Sequence, residues 1–271
     1  MKSNRDFNPI LFFFFIESDI MANEKNEWGS NLSFLLAMIG SAVGLGNIWR
    51  YPYVLYSNGG GAFFIPYIVA ILIMGIPFLI LEYGVGYNFK SSFPKAVKSI
   101  SKKWEYLGWF LPVAVFMILI YYSAILGWDG FYVIISAFKG WGADPNAYFT
   151  GSFLQANDTL GGLGTFVPFV AIAMLVGWVI MWVISHTDLE KGLGRVSKVL
   201  VPLLFAIMIF IVLFSLTLPG AGIGLAELYN PDWSLLLNFN IWMAAFGQMI
   251  FSLSLGMSIA FTYASYTKDD S

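Results

Sequence analysis

Six long apolar runs, at about residues 32–57, 62–86, 107–138, 166–185, 197–218 and 240–264, constrain this chain more than any other feature. A helix of about 20 residues is about 30 Å long, the thickness of a bilayer's hydrocarbon core. Segments of about ten alternating residues, the pattern of a membrane barrel, are absent from the sequence. Only 11% of the residues are charged and 58% are hydrophobic, with a mean hydropathy of +0.74; a soluble domain carries about 25% charged residues. The chain reads as an all-α integral membrane protein with six transmembrane helices.

Positive charge falls on one side of these spans. Lys90, Lys95, Lys98, Lys102 and Lys103 lie between spans two and three, and Lys191, Arg195 and Lys198 between four and five. Lys25 precedes span one and Lys268 follows span six, while the other side offers only Lys139. The positive-inside rule then places both termini in the cytoplasm of a multi-pass protein of the plasma membrane. The absence of cysteine excludes disulfides and thiolate metal sites. The run Ile10–Ile16 is too short to span and lacks a signal-peptide cleavage site. The polar lead-in to span one begins at Met21, which is read as the natural start. Residues 1–23 are therefore taken as an extension and 24–271 as the membrane domain.

Within span one, Gly40-Ser-Ala-Val-Gly-Leu-Gly46 places three glycines in seven residues. Each glycine weakens a helix by about 1 kcal/mol. Backbone released from a helix at membrane depth is tolerated only where it lines a cavity or meets protein or ligand. Span six also turns small and polar in its middle, at Ser252, Ser254 and Gly256. Two interrupted spans five helices apart are arranged as an inverted repeat requires, and such pairs mark the binding site of secondary transporters. The alternative for a single glycine-rich span is a kink that serves packing alone.

The stretch Ala37–Pro52, then Asn58-Gly-Gly-Gly-Ala-Phe-Phe-Ile-Pro-Tyr67, closely resembles the neurotransmitter:sodium symporter family. The likeness continues through Gly75-Ile-Pro-Phe, Glu82, Tyr121–Tyr122, Lys191-Gly192 and Pro202 to Gly247–Gly256 and Thr262–Tyr266. It covers nearly everything from 24 to 271. The resemblance implies a leucine-transporter-type fold with discontinuous helices 1 and 6, of which this chain carries the first inverted repeat, helices 1–5, plus helix 6.

The resemblance also implies site residues. One sodium site would use Ala42, Asn47 and Ser252, and another the carbonyls of Gly40 and Val43; oxygen ligands suit a hard cation. A substrate carboxylate would meet the amides of Leu45 and Gly46 at a half-helix N-terminus, together with the Tyr122 hydroxyl. The substrate ammonium would meet carbonyls of Ala42, Phe251 and Ser252. Gly44 stands where amine-transporting relatives place an aspartate, which favours an amino acid. Ile118, Tyr122, Phe251, Ser254 and Met257 would line an apolar or aromatic side-chain pocket, although packing accounts equally well for Ile118 and Met257.

Arg50 would act with Gln248 as an outer gate, beneath which Tyr122 and Phe251 form a lid; the alternative is an arginine reaching the headgroups. Lys25, Trp28, Ser265 and Tyr266 would form the inner gate. Glu82 would either bond to amides of the broken sixth span or lie at the inner headgroups. Tyr67, Gln248 and Ser252 resemble part of a chloride site, whose deciding residue is not in this chain.

The expected activity is sodium-coupled symport of an apolar or aromatic amino acid by alternating access, with this chain an incomplete N-terminal part that does not transport alone. The alternatives are half of a split transporter that needs a second polypeptide, and a non-transporting membrane binding or regulatory protein. No catalytic constellation or nucleic-acid motif is evident, so neither an enzyme nor a nucleic-acid partner is expected.

Overall fold

A computed structural model of the chain describes residues 27–44, 46–156 and 166–268. Lys25, Leu45 and the Met21 start lie outside the described residues. Within them the structure is helical, with no strand. We number the principal helices α1 (Asn31–Ala42), α2 (Gly46–Ser57), α3 (Gly60–Phe89), α4 (Phe93–Ile100), α5 (Lys102–Ser136), α6 (Pro168–Ser185), α7 (Glu190–Leu216), α8 (Ala221–Tyr229), α9 (Phe239–Ser252) and α10 (Ile259–Ser265). Helices α3, α5, α6 and α7 are each long and apolar enough to cross a membrane, and α1 with α2 form a bent fifth span. Span six is divided into α9 and α10 by the non-helical residues 253–258.

Local chemistry sets these boundaries. Ser30 caps α1, its hydroxyl accepting from the Ser33 amide at 3.2 Å, and Asn238 caps α9 through the Asn240 amide at 3.0 Å. In α3, Pro77 cannot donate a backbone bond, and the preceding turn, Ile71–Gly75, is π-helical. The basic connection between spans two and three forms the short helix α4.

One boundary differs from the sequence reading. Span five begins at Glu190 rather than near 197, because hydropathy discounts a charged first turn, in which Lys198 pairs with Glu190 and Lys191 with Asp188 at 2.6 Å each. The connections between spans also contain helical turns, at 145–153, in α8 and at Trp233–Leu237.

The packed centre lies where spans one, two and six cross. Val54, Leu55, Phe63, Ile241 and Ala245 form one buried cluster, and Ala70, Met249 and Leu255 a second. Helix α6, in contrast, buries no residue within the described molecule. Hydrocarbon chains solvate such a surface as readily as protein does.

The α3–α10 crossing is close. A Cβ on Gly86 would lie 2.9 Å from Phe261 Cα and nearer still to its carbonyl. Gly84, two residues earlier on the opposite side of the helix, has nothing within 4 Å of such an atom. Gly86→Ala is therefore expected to destabilise the chain by about 2 kcal/mol through overpacking, with Gly84→Ala close to neutral. Tryptophan fluorescence during unfolding in mixed detergent micelles would check both; equal effects would show that this contact is not tight.

Candidate functional site

The two helix breaks face each other. At the first, the Gly44 amide turns back to the Ala42 carbonyl at 3.1 Å, and the Asn47 and Ile48 amides both donate to the Gly44 carbonyl. The chain resumes as a π-helical turn, Gly46–Arg50. At the second, Ser254, Gly256 and Ser258 all take positive φ, between 52° and 74°. L-residues adopt that left-handed conformation only singly, so no regular helix can pass through 253–258.

Side chains cross-link the breaks, taking up backbone groups that a continuous helix would have paired. Asn47 Nδ2 donates to the Ala42 carbonyl at 2.6 Å and reaches the Ser252 carbonyl at 3.3 Å. Ser254 Oγ donates to the Ser41 carbonyl at 3.1 Å. Gln248, fully buried, donates through Nε2 to the Gly46 carbonyl and the Ser252 hydroxyl, each at 3.0 Å. Its Oε1 accepts from the Arg50 guanidinium, which also lies 5.5 Å above the Phe251 ring. Among the described residues no carboxylate pairs with Arg50.

The expected lining is placed as follows. Gly46 is buried against Phe251, with no room for a Cβ before the ring. The Tyr122 hydroxyl lies 3.8 Å from the point where a Cβ on Gly44 would stand. Gly40 and Val43 flank the end of α1, and a Cβ on Gly40 would come 2.9 Å from Val201 of α7. Gly40 thus has a packing role besides any role for its carbonyl. Ile118 precedes Tyr122 by one turn on the same face of α5, and Met257 lies in the 253–258 link; both are half-buried. Tyr67 packs its ring 5.0 Å from that of Tyr51.

Glu82 joins the site from α3. Its Oε1 accepts from the Gly256 amide at 2.8 Å, while its buried Oε2 has no hydrogen-bond partner. Of the two sequence readings of Glu82, the geometry is that of an acid bonded to the broken sixth span.

Among the residues expected at the inner gate, Trp28 is 3% exposed. Its amide donates to the Tyr266 carbonyl at 3.1 Å and its indole to the Tyr263 carbonyl at 2.8 Å. Ser265 is not drawn in: its hydroxyl donates to Thr262 in its own helix, the usual back-bond of a helical serine. The sequence reading missed Ser41, whose carbonyl is an acceptor in the site, and Glu190. No pattern pairs either with its distant partner.

A fold with two facing broken spans, carbonyls and amide side chains converging between them, is that of a secondary transporter core rather than an enzyme. The profile of the Sodium:neurotransmitter symporter family matches residues 25–142 and 139–271. The chain belongs to this family of transporters. It is 44% identical to an uncharacterized sodium-dependent transporter of Methanocaldococcus jannaschii, over 90% of this chain and 49% of that protein. It is 35% identical to the uncharacterized sodium-dependent transporter YhdH of Bacillus subtilis, over 89% of this chain and 52% of that protein. The crystal structure of MhsT in complex with L-phenylalanine superposes with a TM-score of 0.75 at 37% identity, covering 90% of this chain and 54% of that one. The chain therefore spans about half the length of the relatives it matches, and it is a multi-pass membrane protein with the N-terminal half of their fold.

Proposed function

We propose that this chain supplies the discontinuous half-site of a sodium-coupled symporter for an apolar or aromatic amino acid, in the plasma membrane with both termini cytoplasmic. The observation that carries the reading is the convergence of the Ala42 and Ser252 carbonyls on the side chain of Asn47, from breaks 205 residues apart. The Asn47 amide nitrogen now occupies the place toward which both carbonyls point. An amide presents a donor on one face and an acceptor on the other. Rotating it by half a turn would put Oδ1 beside the two carbonyls, giving three oxygens around one point for a hard cation.

The substrate reading follows from the same break. Gly46 begins a helical segment whose positive N-terminal end attracts a carboxylate, and the Tyr122 hydroxyl stands near Gly44 as a further donor. The complex of MhsT with L-phenylalanine and the name of a mouse relative, sodium-dependent neutral amino acid transporter B(0)AT2, 28% identical over 92% of this chain and 37% of that protein, support an amino acid. Arg50 with Gln248 and Phe251 would close the site from outside, and Trp28 with the 263–266 carbonyls from inside. In this reading further helices complete the ligand shell, and the chain spans about half the length of the relatives it matches.

The test is a chimera joining residues 27–268 to the part of MhsT beyond its match. Tritiated phenylalanine is expected to bind in sodium and not in choline buffer, with Asn47→Leu raising the sodium requirement by about tenfold or more. Binding that is indifferent to sodium would overturn the proposal.

A further inference from the structure

We infer that Glu190 is a positioning residue that clasps α1, the gating half of span one, to the first turn of α7. One carboxylate collects three donors from two spans. Oε2 accepts from the Gly29 amide at 2.9 Å. Oε1 accepts from the Ser33 hydroxyl at 2.7 Å and from Lys198 Nζ at 2.6 Å. About a third of each side chain of the Glu190–Lys198 pair remains exposed, so water screens the ion pair and leaves it a weak contributor alone. The distinguishing feature is the other half of the arrangement. A charged oxygen takes a free amide just before an α-helix and a hydroxyl in its first turn, and such charge-assisted bonds are the strong ones.

Two glycines make the room. A Cβ on Gly194 would lie 2.9 Å from Glu190 Oε2, and one on Gly29 would lie 2.6 Å from Glu190 Cγ. Neither position can carry a side chain while the carboxylate is docked. Gly194 ends the π-helical turn that Glu190 begins, so the clasp ties the geometry of that turn to the position of α1. Gly29 and Ser33 stand on either side of the Ser30 cap, and Gly29 directly follows Trp28, which is bonded to the end of α10. Movement of α1 away from the site must break the Glu190 bonds as well as the Trp28 bonds. Glu190 thus sets how readily this gate opens, a role that rests on the transporter reading for its consequence.

The test reads the position of α1 without requiring transport, so its failure is separable from failure of that reading. The chain has no native cysteine, and single cysteines are introduced at Ala37, 2% exposed in α1, or at Ala245, 0% exposed in α9. The full chain in nanodiscs is treated with a water-soluble methanethiosulfonate. Glu190→Ala is expected to raise the labelling rate at position 37 about tenfold. Glu190→Gln, which keeps one acceptor oxygen but loses the charge and turns the other acceptor into a donor, should give a smaller rise. Gly29→Ala, which displaces the carboxylate without altering it, should match Glu190→Ala. Position 245 should not respond in any of them. The inference is overturned if position 37 is unchanged in both Glu190→Ala and Gly29→Ala, or if positions 37 and 245 rise together, which would mean general loosening.

Discussion

Gln248→Ala is expected to destabilise the chain by about 3 kcal/mol, the largest effect of any single truncation in the site. The side chain is fully buried and makes three bonds at once, to Arg50, to the Gly46 carbonyl and to the Ser252 hydroxyl. Its loss takes that acceptor from the Arg50 guanidinium and a donor from both the Gly46 carbonyl and the Ser252 hydroxyl, and a polar group left short of partners away from water is costly. Gln248→Glu separates the two halves of the role: it strengthens the acceptor toward Arg50 but removes the Nε2 donor. We expect it to cost about 1 kcal/mol, between wild type and alanine. Unfolding in mixed micelles, followed through the 10 tryptophans, measures both. If Gln248→Ala costs less than about 0.5 kcal/mol, the cross-links between the breaks are not what holds spans one and six together.

The spans and their breaks were legible because lipid is an unforgiving solvent for a backbone. A run such as 197–218 has no other stable home, and the glycines at 40, 44 and 46 cannot be idle where each released carbonyl needs a partner. The match of Arg50 to Gln248 followed from the family likeness and not from spacing. The grouping of Asn47 with the Ala42 and Ser252 carbonyls came from the same likeness, since it depends on how two spans cross, which no local pattern encodes.

The segments that escaped the sequence reading have a common cause. Helix α8 and the turns at 145–153 are short, and their residues alternate between apolar and small polar without a long period, so they resemble loops. The first turn of α7 was hidden for the opposite reason. Glu190, Lys191 and Arg195 lower its hydropathy, yet Glu190 is paired on the spot by Lys198, by the Gly29 amide just before α1 and by the Ser33 hydroxyl within it. Charge near a span's end marks its boundary in a sequence. In the structure the same charge can be what fastens one span to the next.

The sharpest expectation concerns Gly44, whose replacements should divide by charge rather than by size. A Cβ there would stand 3.8 Å from the Tyr122 hydroxyl, an ordinary contact, and Gly44 is not among the residues with positive φ. Gly44→Ala should therefore change phenylalanine binding by the MhsT chimera less than about threefold. Gly44→Asp adds a carboxylate beside the Gly46 helix start, where the substrate's own carboxylate is proposed to sit. Two such charges about 4 Å apart repel by about 4 kcal/mol at the effective dielectric of a partly hydrated site. Even with half of that relieved by rearrangement or proton uptake, binding of phenylalanine should fall by about 30-fold or more. The new carboxylate would stand in for the lost one, so phenethylamine, which has the same ring and ammonium but no carboxylate, should gain as phenylalanine loses. Competition against tritiated phenylalanine reads the first change, and direct binding of labelled phenethylamine the second. A Gly44→Asp chimera that holds phenylalanine as well as the Gly44→Ala chimera would show that the substrate carboxylate lies elsewhere, and with it that the first break is not the substrate's anion site.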